Sequence, residues 1–163
     1  MKPLFSFFSH NRAIAIALLI VTVISAGCRT SPPLPAADLS APGWRVQQGQ
    51  AVWKPTRSRP ELAGELILAT RTNGNFFVQF SKPPFNLAVA QVRNGQWQIE
   101  FGTGERRWRG PGEPPARFAW FQLPRALAGG SLKNSWHFTR MAPDSWRLEN
   151  PRTGESLEGG FFP

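Results

Sequence analysis

The chain has 163 residues, with 19 lysines and arginines against 10 acidic residues and a formal charge of +9. It holds one cysteine and two histidines, which excludes an intrachain disulfide and any metal centre built from clustered Cys and His ligands. Seven tryptophans and 13 phenylalanines with no tyrosine point to a wide apolar interior.

Lys2 and Arg12 lie in a first segment without acidic residues, and an apolar run follows from Ala13 to Ile24. The run has the length of a signal-peptide core and falls short of the roughly 20 residues that span a bilayer. It ends in Ser25-Ala26-Gly27-Cys28, small residues leading into the only cysteine, which resembles the lipobox of bacterial lipoproteins. Residues 1–27 therefore read as a signal peptide and Cys28 as the lipid-modified first residue of the mature protein. Several acyl chains, palmitate among them, make such an anchor durable, since each buried methylene contributes about 0.8 kcal/mol. The part from Cys28 onward suits one domain. Without Lys2 and Arg12 it has 17 basic and 10 acidic residues, a charge of +7. Export argues against nucleic acid as the partner of this basic surface and favours membrane headgroups. Arg29 after the cysteine, in place of an acidic residue, implies an outer-membrane address facing the periplasm of the cell envelope.

Residues 28–42 hold Pro32, Pro33, Pro35 and Pro42 among Ser and Ala, the composition of an extended tether. Residues 43–163 form the domain. Period-two alternation predicts strands over Trp44 to Trp53, Leu62 to Arg71, Asn75 to Ser81, Asn86 to Arg93 and Gln96 to Phe101, then a short edge strand from Glu105 to Arg109. Asn94-Gly95 is a two-residue hairpin signal. In the fourth strand Leu87 and Val89 are expected on the buried side. Pro115 to Gly129 spaces Phe118, Phe121 and Leu127 at helical intervals around Pro124, which predicts one or two interrupted helical turns. Asn134 to Arg140, Ser145 to Asn150 and Glu155 to Gly159 complete the strands, the last pair turning at Pro151 to Gly154. The predicted class is all-β with one short helical segment: a single curved antiparallel sheet or half-barrel under a short helical lid.

Catalytic patterns are missing from this reading. His137 is the only histidine of the domain and sits in a strand pattern; no nucleophile elbow, dinucleotide fingerprint or calcium loop is present. The chain reads as a monomeric binding module without cofactor or metal and not as an enzyme.

Three stretches resemble the LolB-like outer-membrane lipoprotein receptors, whose half-barrel fold is shared with the carrier LolA. They are Gly43-Trp44-Arg45-Val46-Gln47-Gln48-Gly49-Gln50-Ala51-Val52-Trp53, then Asn75 to Leu87 with its Lys82-Pro83-Pro84-Phe85 loop, then Phe118-Ala119-Trp120-Phe121-Gln122-Leu123-Pro124 running on to Gly129. The resemblance implies a receptor for lipidated proteins. It also implies a membrane-inserting apolar loop at Pro83, Pro84 and Phe85. The chain departs from the family in a shorter region after the helical segment and in its Gly159-Gly160-Phe161-Phe162-Pro163 ending. The expected apolar cavity, which would take an acyl chain of a lipoprotein or lipid, is lined by Trp44, Leu66, Leu68, Phe76, Val78, Phe80, Leu87, Val89, Trp97, Ile99 and Trp120. Two other readings stand beside it: a packed aromatic core with no ligand, and a structural envelope lipoprotein that binds a protein or an acidic glycan.

Overall fold

The structure, a computed structural model, describes residues 32–102 and 106–163. The signal segment and Cys28 lie outside the described residues, as does Glu105. Pro33–Pro163 forms one compact unit. Its elements are β1 (Arg45–Lys54), β2 (Leu62–Thr70), β3 (Phe76–Lys82), β4 (Phe85–Arg93), β5 (Gln96–Phe101), β6 (Arg106–Pro111), α1 (Ala119–Leu127), β7 (His137–Arg140), β8 (Ser145–Asn150) and β9 (Glu155–Phe161). All nine strands join one antiparallel sheet in the order β6-β5-β4-β3-β2-β1-β9-β8-β7. Among the described residues the fold is all-β with a single helix, and the sheet is open, with β6 and β7 at its edges. It is also strongly curved. Trp53 on β1 and Phe101 on β5 stack with ring centroids 5.7 Å apart, although four strand spacings in a flat sheet come to about 19 Å.

The turns account for the register. Asn94 and Gly95 both take positive φ, 50° and 71°, the backbone of a type I′ hairpin. The Asn75 side chain accepts the Asn94 N–H at 3.0 Å, tying this turn to β3. Strand β7 begins three residues later than its alternation predicts, because Asn134 and Ser135 adopt left-handed φ of 57° and 60° that no strand accommodates.

Strand β4 corrects the expected facing. Ala88 pairs with Phe101 and Phe80, and Ala90 with Ile99 and Val78, so the two alanines face the interior and Val89 faces outward with Gln79 and Glu100. A one-residue offset moves a whole strand to the other face. The larger aliphatics mark the wrong face here because aromatic rings from neighbouring strands fill the interior and leave room only for alanine. The β3–β4 register shifts between Phe80 and Ser81, and Leu87, next to that irregularity, still packs against the core.

Pro124 does not interrupt the helix. Helix α1 runs continuously from Ala119 to Leu127 with Pro124 buried inside it. The missing proline N–H costs one hydrogen bond in a helix held by its packing. A Schellman motif closes the helix: Gly129, at φ 75°, donates to the Ala126 carbonyl and Gly130 to the Arg125 carbonyl, both at 2.9 Å.

The proline-rich segment also departs from expectation. It lies against the sheet, where Leu34 N–H donates to Gln98 Oε1 at 2.7 Å. Ala36, Ala37, Asp38 and Ala41 wall a pocket of about 200 Å³ together with Arg71, Gln91 and Arg93. Gln91 and Gln98, on the face away from the helix, are buried, although alternation alone makes that face wet.

Within the sheet, β1 and β9 approach so closely that a methyl group on Gly49 would collide with the Gly160 carbonyl. Gly49→Ala is expected to cost about 2 kcal/mol, as overpacking does. Urea unfolding checks this, and a variant as stable as the parent would show that β1 and β9 can separate freely.

Candidate functional site

The interior between sheet and helix is where the predicted site residues converge. Leu66, Leu68, Val78, Phe80, Ile99 and Trp120 are buried in one apolar cluster, with Phe76, Leu87 and Trp97 packed against it. Register explains the grouping: Leu66 faces Phe80, Leu68 faces Val78 and Val92 faces Trp97 across adjacent strands. Two predicted members are elsewhere. Val89 points to the outer face, and Trp44 precedes β1, where its ring carries the Arg71 guanidinium at 4.5 Å. Trp44 reads as part of an alternating strand, but Gly43 at φ 90° turns the chain just before it.

Helix α1 fills the interior. Trp120, with no exposed surface, stacks on Phe80 at 5.3 Å and meets Trp53 edge-on at 5.2 Å. Phe121 meets Phe76 at 6.1 Å and Trp97 at 5.9 Å. The expected cavity lining is therefore a packed aromatic core in this structure, with the helix's own side chains in the ligand's place. The plug carries polar atoms without partners: Trp120 Nε1 and Gln122 Oε1 are buried and make no hydrogen bond among the described residues, and the same holds for Trp146 Nε1. Such groups each cost free energy relative to a hydrated state.

The expected cavity lining leaves out Trp53, Phe101, Phe121, Trp146, Leu148 and Leu157, all in the cluster or packed on it, although alternation with Trp97 and Ile99 already sets Phe101 on a buried face and helical spacing sets Phe121 over the sheet. The Trp146–Leu148 and Gly49–Ala51–Trp53 alternations carried the signal for two of these strands. Phe101 and Trp108, with Phe118, form a rim where centroids lie 5.9 Å apart and Trp108 is exposed.

Loops flanking the helix are tied together from outside. Glu113 accepts from Arg125 at 2.7 Å and from Lys133 at 2.7 Å. Hydrogen bonds from Lys133 and then Arg125 hold its carboxyl at about 2, well below the usual range. Trp136 Nε1 donates to the Ala116 carbonyl at 2.7 Å. At the opposite wall Glu155 receives the Trp53 indole N–H at 3.1 Å. Burial pushes its carboxyl up to about 7, and the Trp53 hydrogen bond only partly offsets this.

Pro83 and Pro84 form the turn between β3 and β4, and Phe85 just after it is 57% exposed. It is not a core residue. On the outer face a groove of about 470 Å³ crosses the sheet, with Gln50, Val52, Ala63, Glu65, Met141 and Glu158 among its walls. Among the described residues no helix is long and apolar enough to cross a membrane. The sequence matches no known family and no curated protein.

Proposed function

We propose that the protein is a lipid-anchored, LolB-like half-barrel of the bacterial outer membrane, facing the periplasm, that receives acyl chains of lipoproteins or lipids. The observation that carries this reading is an apolar interior closed by one nine-residue helix that buries unpaired polar atoms. Withdrawal of α1 hydrates Trp120 Nε1 and Gln122 Oε1 and uncovers a wall of Leu66, Val78, Phe80 and Ile99. An acyl chain laid on that wall regains the lost burial at about 25 cal/mol per Å². Phe85, exposed on its prolyl turn, supplies an apolar tip for the bilayer.

A second reading, a structural envelope lipoprotein with a protein or acidic-glycan partner, draws on the filled interior and the outer groove. Native mass spectrometry of the domain with a palmitoylated peptide separates the two. The first reading expects a stoichiometric complex that the unacylated peptide does not form; a bare domain with both peptides would overturn it in favour of the second.

A further inference from the structure

In Pro32-Pro33-Leu34-Pro35 three of four residues have no backbone N–H, so Leu34 holds the only donor of the stretch. That donor is used on Gln98 Oε1 at 2.7 Å, a side chain 4% exposed. Gln98 Nε2 donates in turn to Glu100 Oε1 at 2.6 Å, and Glu100 pairs with Arg107 at 2.6 Å. Among the described residues this is the hydrogen bond that fastens the strap to the sheet, on the outer face of β5.

The same face is cationic. Register sets Arg107 beside Glu100 and Arg109 beside Gln98. Arg93 pairs with Gln96 and shares the outward row of Gln91. Glu100 is the one acidic side chain that β4–β6 contribute to this face among the described residues, and it is already paired with Arg107; Asp38 of the strap lines the pocket beside Arg93 without forming an ion pair to it among the described residues. Arg93 and Arg109 make no ion pair among the described residues. Charges on an edge strand deter pairing with other chains, which accounts for arginines on β6 but not for Arg93 on β4 or for a strap fastened among them.

We propose that the outer face of β4–β6, with Arg93, Arg107 and Arg109 around the pinned Leu34, is the surface that the domain lays against anionic lipid headgroups. The inference rests in part on the reading of Cys28 as the anchor. Only five residues separate Cys28 from Leu34, at most about 22 Å of extended chain, so the pin holds this face within reach of the bilayer. A basic face beside an acyl anchor is a second membrane signal that adds to the first.

The test is hydrogen exchange of the full chain, made in a bacterial host, on vesicles rich in phosphatidylglycerol and on vesicles of phosphatidylcholine alone. Amides of 93–98 and 106–110 are expected to be slowed on the anionic vesicles only. In R93Q/R109Q, which leaves the Arg107–Glu100 pair intact, the ratio of protected to free forms falls about 25-fold, about fivefold for each arginine. Leu34→Pro removes the pin and is expected to keep vesicle attachment while losing that protection. Slowing that appears elsewhere, or that R93Q/R109Q leaves unchanged, overturns the proposal. The intact mass of the same sample reports separately on the anchor: a chain without lipid defeats the anchor reading, while exchange on anionic vesicles still judges the arginine face.

Discussion

Trp120→Ala is expected to destabilise the domain by about 4 kcal/mol, the middle of the range for deleting a buried aromatic side chain. Trp120 has no exposed surface and lies against Phe80 and Trp53, so truncation removes ring contacts from two strands at once and leaves a void between them. The void is walled by apolar groups and stays dry, and dry apolar cavities bind small apolar molecules. Trp120→Phe keeps most of the packing and deletes the unpaired indole N–H, and its cost is expected to be less than half as large. Urea unfolding of the three proteins, repeated with a short-chain alkane present, checks both points. A cost below about 1 kcal/mol for Trp120→Ala would mean that the helix contributes little to the closed core.

Acidity is expected to stabilise the fold over part of the pH range. Glu155 has a folded value of about 7 against an ordinary 4.5, so between those limits the folded state holds the proton more tightly than the unfolded chain. Stability from this group is fully present below about 4.5, declines as pH rises to about 7, and is then level. The loss amounts to about 3 kcal/mol, since each unit is worth 1.36 kcal/mol. Glu113 acts in the other direction and in another window: its carboxylate, held at about 2, stabilises the fold above about 4.5 and loses this as pH falls towards 2. Stability is therefore expected to be greatest near pH 4.5 to 5. Glu155→Gln keeps an acceptor for Trp53 and is expected to remove most of the decline towards neutrality. Melting temperatures of both proteins from pH 4 to 8 test this, and parallel curves would show that Glu155 is not the group responsible.

Much of the sheet is legible in the sequence because its strands alternate cleanly and its turns use residues of restricted choice. Trp97, Ile99 and Phe101 alternate with polar neighbours, and Asn94-Gly95 can form only a few turn types, so β4, β5 and their hairpin follow from local rules. The facing of β4 does not follow. Ala88 and Ala90 are weaker hydrophobic signals than Leu87 and Val89, and only the rings brought in from β3, β5 and α1 make alanine the residue that fits. The helical plug is half legible: aromatic spacing places it over Pro115 to Gly129, but whether Trp120 covers a cavity or fills one depends on sheet curvature, which sequence periodicity does not encode. Burial of Gln91 and Gln98 has a similar origin. The segment that lies near them is far off in the chain, 64 positions from Leu34 to Gln98, and its prolines predict extension without indicating what it lies against.

The position of β1 has a consequence for how the molecule is made. It pairs with β2, the next strand in sequence, and with β9, the last. The chain reaches the compartment where it folds N-terminus first, so β1 to β6 can form a meander early. One side of β1 then remains without its ladder until Glu155 to Phe161 has emerged, about 100 residues later. During that interval the longest strand of the domain is a temporary edge, rich in Gln and Val and able to pair with any other chain in reach. Strand β9 thus acts as a late closure step, and chains that lack it are expected to persist as association-prone meanders.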